Sequence, residues 1–303
     1  MNKSSRSRRK TPAAAKPPSR PAARTPRGST GGDAASAVTV VNSRLPEKLM
    51  RYHRQMILPA IGRPGQERLG RATAAVVGLG ALGTVSADFL ARAGVGRLIL
   101  VDRDCLEITN LQRQVLYTEA DARERKPKAV AAAERLREVN SEIDIEPRVQ
   151  DLDAARTEAL VREVDLIVDG SDNFETRYVL NDACVKNKKP WVYGAAVGSA
   201  GLCMCIVPGR TPCLRCLFED PPPQGTAPTC DTVGVLGPVT GVIGAWQAGE
   251  AIKLLSGNLA AISPRLLSID LWSDQFRGLN TGETRRANCP CCGKHQYEFL
   301  SGR

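Results

Sequence analysis

Polar side chains suited to nucleotide chemistry follow two apolar runs in the first half of the chain. Asp102 comes directly after the run 97–101, and Asp172 and Asn173 end the stretch VDLIVDGSDN. Carboxylates accept ribose hydroxyls or hold Mg²⁺ against phosphates, and guanidinium groups bind phosphate oxygens. The loop DRDCLEITNLQRQ, which begins at Asp102, carries Asp104, Asn110, Gln112 and Arg113. Together these side chains predict a site for a nucleoside phosphate.

A glycine-rich turn, GLGALG, separates the apolar run 72–77 from a helical pattern that continues to Ala93. Gly78 permits a tight turn, Gly80 lets phosphate approach the backbone, and Gly83 allows the helix to pack closely on the strand. The helix N-terminus offers free N–H groups to an anion. The order strand, turn, helix, strand and acid predicts a Rossmann-like α/β fold with a largely parallel sheet.

Two lysines and a further strand extend this site. KPKA places Lys126 and Lys128 at the start of a helical pattern, where an ammonium group can stabilise phosphate charge. We expect VDLIVDGSDN to form a third apolar strand and Asp172 to hold Mg²⁺ at its carboxyl end. Ser171, Asp172 or Asn173 alternatively caps the helix that follows. Neighbouring residues can share these two tasks.

Histidine usage argues against an NAD-linked dehydrogenase, which uses the same type of fold. Hydride transfer commonly needs a His, or a Tyr and Lys pair, to move the substrate's proton. The chain has two His, of which His53 precedes the first strand and His295 lies near the C-terminus, and it contains no Tyr-x-x-x-Lys. The permanent cations near the predicted phosphate site favour ATP as the nucleotide.

Two CxxC pairs, CLRC and CPCC, predict a metal site in the second half of the chain. Four thiolates from such pairs give tetrahedral Zn²⁺ a closed, structural site. The predicted ligands are Cys213, Cys216, Cys289 and Cys292. Cys291 is expected to be a spectator, and unliganded thiols are the alternative. Without an export signal, ten Cys indicate a reducing compartment, and we expect a cytoplasmic protein.

The remaining cysteines divide into packing residues and one reactive candidate. Cys203 and Cys205 alternate along GLCMCIVP and are expected to be buried on one face of a strand, and Cys105 and Cys184 are expected to pack likewise. Cys230 follows EDPPPQGTAPT, a stretch typical of a mobile loop near a site. It is either a catalytic or sulfur-handling thiol or an ordinary loop residue.

The C-terminal part is expected to continue the sheet with mixed or antiparallel strands. A helix is predicted from Pro238 to Leu255, with Gly257 beyond its end. RLLSIDLWSDQFRGL is expected to form one edge strand that returns to the sheet.

The net charge of +10 comes from the N-terminal tail. Nine Lys and Arg precede the first acid, Asp33, and their removal leaves 33 basic against 32 acidic residues. We predict a disordered basic tail at 1–40 and a nucleotide-binding domain at 41–303. The tail offers weak attraction to polyanions and no specific nucleic-acid site, although it also resembles an organelle transit peptide. No stretch is apolar enough for a membrane span.

The combined motifs resemble one protein family. RYHRQ (51–55), GLGALG (78–83), TNLQRQ (109–114), KPKA (126–129), DGSDN (169–173), the two CxxC pairs and TC (229–230) occur in this order in bacterial adenylyltransferases of ubiquitin-like sulfur-carrier proteins. These enzymes are relatives of the ubiquitin-activating enzymes. The resemblance implies that the C-terminal glycine carboxylate of a small carrier attacks the α-phosphorus of ATP. The products are an acyl-adenylate and pyrophosphate.

The resemblance also implies roles for individual residues. Asp102 would hold the ribose, while Asn110, Arg113 and Lys128 would contact phosphates and Asp172 would carry Mg²⁺. Adenylation needs little general-base help, so positioning and charge neutralisation would supply most of the catalysis.

The resemblance also bears on a second subunit, on Cys230 and on two positions where this sequence departs from the family pattern. Arg54 would reach the γ-phosphate of the neighbouring subunit's ATP, which requires a homodimer. Ala81 replaces a usual Gly whose backbone contacts ATP, and its methyl group requires a negative φ. The segment before KPKA is slightly longer than in close relatives, so Lys126 is an alternative to Lys128. Cys230 corresponds to a thiol that bonds to the carrier in the thiamine branch and is dispensable in the molybdopterin branch.

The expected partner is a small ubiquitin-like sulfur-carrier protein that ends in Gly-Gly. Eleven residues follow Cys292, too few for a sulfurtransferase domain, so a separate sulfur donor is expected. The pathway, whether molybdopterin, thiamine or another, stays open. The alternative function is a non-catalytic, zinc-stabilised module that binds the carrier without consuming ATP.

Overall fold

The computed structural model describes residues 46–223 and 225–301, which form one eight-stranded mixed sheet. Its strands are β1 (Thr73–Val77), β2 (Arg97–Val101), β3 (Asp144–Arg148), β4 (Leu166–Asp169), β5 (Trp191–Val197), β6 (Ala200–Ile206), β7 (Arg265–Asp270) and β8 (Gln275–Asn280). They lie in the order β3-β2-β1-β4-β5-β6-β7-β8. The pairs from β3 to β5 are parallel, and those from β5 to β8 are antiparallel. The predicted α/β class, with a parallel sheet continued by antiparallel strands, is confirmed.

Helices cover both faces of this sheet. They are α1 (Glu47–Met50), α2 (His53–Met56), α3 (Gly62–Leu69), α4 (Ala81–Ala93), α5 (Glu119–Arg123), α6 (Lys128–Val139), α7 (Ala154–Glu163), α8 (Phe174–Lys186), α9 (Leu214–Leu217), α10 (Cys230–Val233) and α11 (Gly237–Leu255). Short 3₁₀ turns stand at Ile108–Asn110, Leu259–Ala261, Gly282–Thr284 and Glu298–Leu300. Helices α4, α6 and α11 bury one core with the sheet, and α7 and α8 bury the other. Because β2 lies between the two cores, its residues alternate between them, as expected for a strand covered on both sides.

The strand order creates a crevice at the carboxyl ends of β1 and β4. From β1 the chain moves outward to β2 and β3, and it then returns to the other side of β1 as β4. Ligands bind at such a reversal of strand order in open α/β sheets. The glycine turn, Asp102 and the DGSDN segment therefore meet at one edge of the sheet.

One strand was not predicted, and one prediction about the strands was wrong. VDLIVDGSDN forms a third apolar strand, β4, as predicted, but the polar segment 144–148 precedes it as β3 at the sheet edge, where Pro147 is tolerated because edge strands have unpaired positions. RLLSIDLWSDQFRGL forms two strands rather than one, because the chain reverses between β7 and β8 with Asp274 at φ 53°.

The burial of the packing cysteines agrees with the prediction at three positions out of four. Cys184, Cys203 and Cys205 are buried, and the last two face the same core. Cys105 is exposed, contrary to the prediction, because it pairs with Pro127 in an isolated bridge at the surface. The tail predicted at 1–40 lies outside the described residues, and the boundary at residue 41 stays a prediction. No helix in the described ranges combines the length and apolar character needed to cross a bilayer.

Candidate nucleotide and metal sites

The glycine turn packs against the β4 end so tightly that only glycine fits at two positions. Gly78 has φ 84°, and a Cβ there would lie 2.7 Å from the Gly170 carbonyl. A Cβ at Gly83 would lie 1.8 Å from the Gly78 oxygen, so Gly83 allows α4 to meet the strand. Gly80 is different, because the nearest atom to its virtual Cβ is Gln114 Nε2 at 3.9 Å. The space beside Gly80 is where a ligand can approach the backbone.

The first turn of α4 presents its N–H groups to this space. Gly80 is the N-cap and provides no side-chain cap, so the first amide groups of α4 are available to an anion. Ala81 is the first helical residue and is not among the described residues with positive φ. Ala81 therefore meets the requirement that a residue with a methyl group has a negative φ at this position.

Asp102 is held at the end of β2 by two backbone amides. Its Oδ2 accepts the Leu79 N–H at 2.7 Å, and its Oδ1 accepts the Asp104 N–H at 2.8 Å. Burial raises the pKa of Asp102, and the positive charge of Lys128 opposes this rise. The carboxylate is thus fixed beside the glycine turn, with lone pairs left to accept hydroxyl groups.

Lys128 lies in this cluster and Lys126 does not. The Lys128 ammonium is 2.9 Å from Asp104 Oδ2, and its side chain is only 10% exposed. Lys126 instead pairs with Glu134 at 2.9 Å. Tyr117 fixes the arrangement, because its hydroxyl donates to the Leu79 carbonyl at 2.8 Å and lies 3.3 Å from the Lys128 carbonyl.

The loop after Asp102 forms a 3₁₀ turn that displays three polar side chains. Asn110 Oδ1 accepts the Glu107 N–H at 3.0 Å, and an Arg113 guanidinium nitrogen donates to the Thr109 carbonyl at 3.1 Å. Gln112 is exposed, and its carbonyl lies against Gly237 at the start of α11. The turn therefore stands between the β2 end and α11.

Asp172 does not cap the helix that follows it, because its neighbour does. Asn173 Oδ1 accepts the Thr176 N–H at 2.8 Å and is the N-cap of α8. Asp172 is exposed, and its charge acts on both Arg103 and Cys230. Of the three capping candidates, the structure uses Asn173.

A buried ion pair supports the loop that carries Asp172. Asp169 is fully buried, and its Oδ1 accepts both the Ser171 N–H at 2.9 Å and the Ser171 hydroxyl at 2.6 Å. Its Oδ2 lies 3.4 Å from Arg177 Nε, and Arg177 also donates to the Ser171 and Gly194 carbonyls. Gln247 on α11 donates to the Asp169 carbonyl at 2.6 Å. Burial raises the pKa of Asp169, although the Arg177 charge acts in the opposite direction.

Cys230 is the first residue of α10 rather than part of an irregular loop. Its Sγ lies 3.7 Å from the Ala196 carbonyl on β5. Burial raises the pKa of the Cys230 thiol, while the nearby Arg113 charge lowers it. The segment after α10 is anchored to the β5 end, because Gly198 N–H donates to Gly234 and Leu236 N–H donates to Gly198.

Arg54 does not join the cluster around Gly80 in its own chain. It is exposed on α2, whose neighbouring side chains contact the other end of α4: Gln55 Nε2 donates to the Ala93 carbonyl at 3.0 Å. Thirteen helical residues separate these ends by about 20 Å.

The four predicted zinc ligands converge. Their sulfur atoms all lie within 4.8 Å of one another. Cys213 Sγ is 3.6 Å from Cys289 Sγ, and Cys216 Sγ is 3.4 Å from Cys292 Sγ. A tetrahedral zinc with Zn–S bonds of about 2.3 Å places its sulfurs about 3.8 Å apart, so this donor set fits the ion. With four thiols and no fifth ligand position, the chemistry is that of a structural site.

Four positioning residues were not identified from the sequence. These residues support the backbone of the glycine turn and of the DGSDN segment, and no local sequence motif indicates that role. They are Tyr117, Asp169, Arg177 and Gln247. The available signal was weak: Gln247 is a polar residue inside an apolar helix, and Asp169 ends an apolar strand. Their importance depends on contacts between elements far apart in the sequence.

Comparisons with known proteins agree with this geometry. The profile of the ThiF family matches residues 52–291. The sulfur carrier protein ThiS adenylyltransferase of Bacillus subtilis is 45% identical over 251 residues, covering 83% of this chain and 74% of that protein. The sulfur carrier protein adenylyltransferase of Thermus thermophilus is 44% identical over 252 residues, covering 82% of this chain and 92% of that protein.

A solved structure supports the fold assignment. The crystal structure of E. coli MccB with ATP has a TM-score of 0.71 and 25% sequence identity, covering 83% of this chain and 75% of that chain. The family profile spans both the nucleotide crevice and most of the cysteine cluster. With a matching fold, a matching profile and relatives that align over most of their length, the chain belongs to the ThiF family.

Proposed function

We propose that this protein uses ATP to adenylate the C-terminal glycine carboxylate of a small ubiquitin-like sulfur-carrier protein. The two bacterial relatives are named for this activity, and they align with most of the described residues. The reaction joins the carboxylate to the α-phosphorus of ATP and releases pyrophosphate.

The observation that carries the proposal is the meeting of charged groups around an open glycine turn. Asp102, Lys128 and Asp172 come from separate elements and lie at the carboxyl edge of the sheet around Gly80. Lys128 is nearly buried and ion-paired, whereas Asp172 is exposed. The carboxylates suit ribose hydroxyls and Mg²⁺, and Lys128 with the free amides of the α4 N-terminus suits phosphate, so the groups together suit a nucleotide.

In the proposed complex, Asp102 accepts the ribose hydroxyls and the α4 N-terminus faces phosphate. Asn110, Arg113 and Lys128 bind phosphate oxygens and neutralise charge on the departing pyrophosphate. Lys128 would exchange its contact with Asp104 for one with phosphate. Gln112, Asp104 and Asn173 would line the same crevice, and Ala81 would offer a backbone amide.

Asp172 would hold Mg²⁺ against the phosphates. When bound, the ion neutralises the negative charge that moves onto the leaving group. The support for this role is that Asn173 caps α8 and leaves the adjacent carboxylate exposed. Asp172 would then orient the triphosphate so that its α-phosphorus faces the incoming carboxylate.

The cysteine cluster would hold Zn²⁺ as a structural element. Its ligands would be Cys213, Cys216, Cys289 and Cys292, which join the segment after β6 to the chain end beyond β8. Metal–thiolate bonds that form only in the folded chain would offset the entropy cost of closing such a long loop, so metal binding would stabilise the fold.

Two roles need a second molecule. Arg54 would reach the ATP of a second copy of the chain, because it lies at the opposite end of α4 from its own glycine turn. Cys230 would face the activated carrier tail, since it lies close to Arg113 and Asp172. A separate sulfur donor and a cytoplasmic location remain predictions.

ATP–pyrophosphate exchange tests the proposal. Purified carriers ending in Gly-Gly are added to the wild-type protein and to Asp172→Asn, with Glu175→Gln as a matched control on the exposed first turn of α8. We expect exchange with one carrier, a loss of roughly 100-fold or more in Asp172→Asn, and no loss in the control. The carrier that supports exchange identifies the pathway.

The same assay separates enzyme from binding module. Tight carrier binding without any exchange, in a folded and metal-loaded protein, would contradict the proposal and favour the module. Exchange that persists in Asp172→Asn would contradict the role of Asp172.

A further inference from the structure

Two adjacent cysteines are both near enough in the sequence to supply the fourth thiolate of the metal cluster. Cys291 and Cys292 follow one another, yet only the Cys292 sulfur belongs to the group that converges within 4.8 Å. Burial does not explain this outcome, because Cys291 is completely buried whereas Cys292 is half-buried. Structural zinc ligands are usually enclosed, so burial alone would favour Cys291.

A buried amide on α8 contacts the Cys291 thiol. Asn181 on α8 is fully buried, and its Nδ2 donates to Cys291 Sγ at 3.2 Å and lies 3.3 Å from Asp182 Oδ1. Its Oδ1 accepts the Leu214 N–H at 2.9 Å. The Asn181 side chain thus contacts both cysteine-bearing segments.

The orientation of this amide is determined by the backbone. A backbone N–H can only donate, so the Asn181 atom that faces Leu214 must be the oxygen. The NH₂ group is consequently directed at Cys291, whose sulfur is the acceptor. The Asp182 carboxylate also hydrogen-bonds with the Cys291 thiol. Its Oδ2 accepts the Phe299 N–H at 3.1 Å, which fixes α8 against the C-terminal turn.

We propose that Asn181 is a positioning residue that selects the fourth metal ligand by holding the Cys291 thiol against α8 and leaving Cys292 to complete the site. This inference rests on the proposed metal role of the cluster and does not depend on adenylation. It has a direct consequence: while Asn181 is present, Cys291 cannot replace Cys292.

Cobalt substitution tests the proposal, because the charge-transfer absorbance of Co²⁺ increases with the number of bound thiolates. The purified full chain is loaded with Co²⁺ as wild type, Cys292→Ser, and the double variant Asn181→Ala with Cys292→Ser. We expect four thiolates in the wild type and three in Cys292→Ser, which gives about three quarters of the wild-type absorbance per bound ion. In the double variant the freed Cys291 is expected to restore four.

Two controls identify the source of the fourth thiolate. Cys291→Ser alone should keep the wild-type spectrum, because Cys291 is not a ligand. Adding Cys291→Ser to the double variant should return the count to three. Chelator-induced release of Co²⁺ should be several-fold faster from Cys292→Ser than from the double variant.

Two results would overturn the proposal. Four thiolates in Cys292→Ser would mean that Cys291 moves freely despite Asn181. Three thiolates in a folded double variant would mean that another contact holds Cys291. If the alanine variant does not fold, Asn181→Ser, which keeps a hydroxyl near the Leu214 N–H, is used with the same expected counts.

Discussion

Replacement of Arg177 by methionine is expected to destabilise the protein strongly. Arg177 lies beside the fully buried Asp169 carboxylate, with Nε 3.4 Å from Oδ2, and its own side chain is 7% exposed. Methionine keeps much of the length and apolar volume and removes the charge. The Asp169 carboxylate would then stay buried, with Ser171 as its remaining side-chain partner.

Arg177→Met and Asp169→Asn should lower the free energy of unfolding by different amounts. Breaking a buried pair by removing one partner costs about 3–5 kcal/mol, and we expect Arg177→Met in that range. Asp169→Asn should cost less, about 1–3 kcal/mol, because Arg177 still donates to two carbonyls and lies 5.4 Å from the Tyr193 ring centroid. The introduced amide also keeps an oxygen for the contacts with Ser171. The double variant should therefore cost less than the sum of the single variants.

The cost of Arg177→Met should depend on pH. Burial raises the folded-state pKa of Asp169 above the ordinary value of 3.8, and removing Arg177 takes away the group that opposes this rise. An acid with a raised folded pKa favours folding when it is protonated. The penalty should thus shrink as pH falls through the raised pKa and grow as pH rises, by about 1.4 kcal/mol per pKa unit of additional shift.

Urea unfolding of the metal-loaded protein at pH 5 and pH 8 measures these effects. Equal m-values are required for the comparison, since a change in m would indicate a different unfolded or native state. A loss below about 1 kcal/mol in Arg177→Met, or strict additivity in the double variant, would refute the buried-pair argument.

Three other changes test separate parts of the fold. Gly83→Ala should destabilise by at least about 2 kcal/mol in urea unfolding, because its Cβ would lie 1.8 Å from the Gly78 carbonyl oxygen. Gly241→Ala, with nothing within 4 Å of its Cβ, is the control and should be neutral or stabilising by up to about 1 kcal/mol. Hydrogen bonding to Arg148 lowers the pKa of Glu146 below 4.5, so Glu146→Gln should cost about 0.5 kcal/mol of stability at pH 7, after allowance for solvent screening. This difference from wild type should vanish as pH falls below 4.5, and a difference in stability that does not change with pH would contradict the prediction. Free zinc a thousand-fold above its Kd should stabilise the chelator-stripped protein by about 4 kcal/mol, and a melting temperature independent of zinc would refute a structural metal.

Local patterns in the sequence were sufficient for the first strand, helix and strand of the fold. The run before Gly78, the helix to Ala93 and the strand 97–101 occur where the glycine turn and hydrophobic pattern predict them. The prediction of these elements succeeds because a physical requirement within a few residues defines each of them. Gly83, for example, is needed because another atom occupies the place of its Cβ.

Elements defined by their neighbours could not be predicted in the same way. β3 is polar because it lies at the sheet edge, and its pairing with β2 replaces the missing hydrophobic pattern. The contacts of Arg177 and Asn181 depend on segments far away in the chain, so no local spacing indicates them. Spacing correctly predicted Cys292 as a member of the converging cluster, but the reason lies in a helix more than one hundred residues earlier.

The site separates groups that act on substrate from groups that support it, and this separation can be measured. Asp172 is exposed and makes one weak side-chain contact, so Asp172→Asn should reduce exchange while leaving the urea midpoint unchanged. Arg177 is buried beneath the same loop, so its loss should lower stability first and reduce exchange through displacement of that loop. If both variants lost exchange with no change in stability, Arg177 would have to contact substrate, which its burial and its contacts with Asp169 and two backbone carbonyls oppose. The two variants measured together therefore decide whether charge at this edge of the sheet acts directly on the phosphates or through the backbone that carries Asp172.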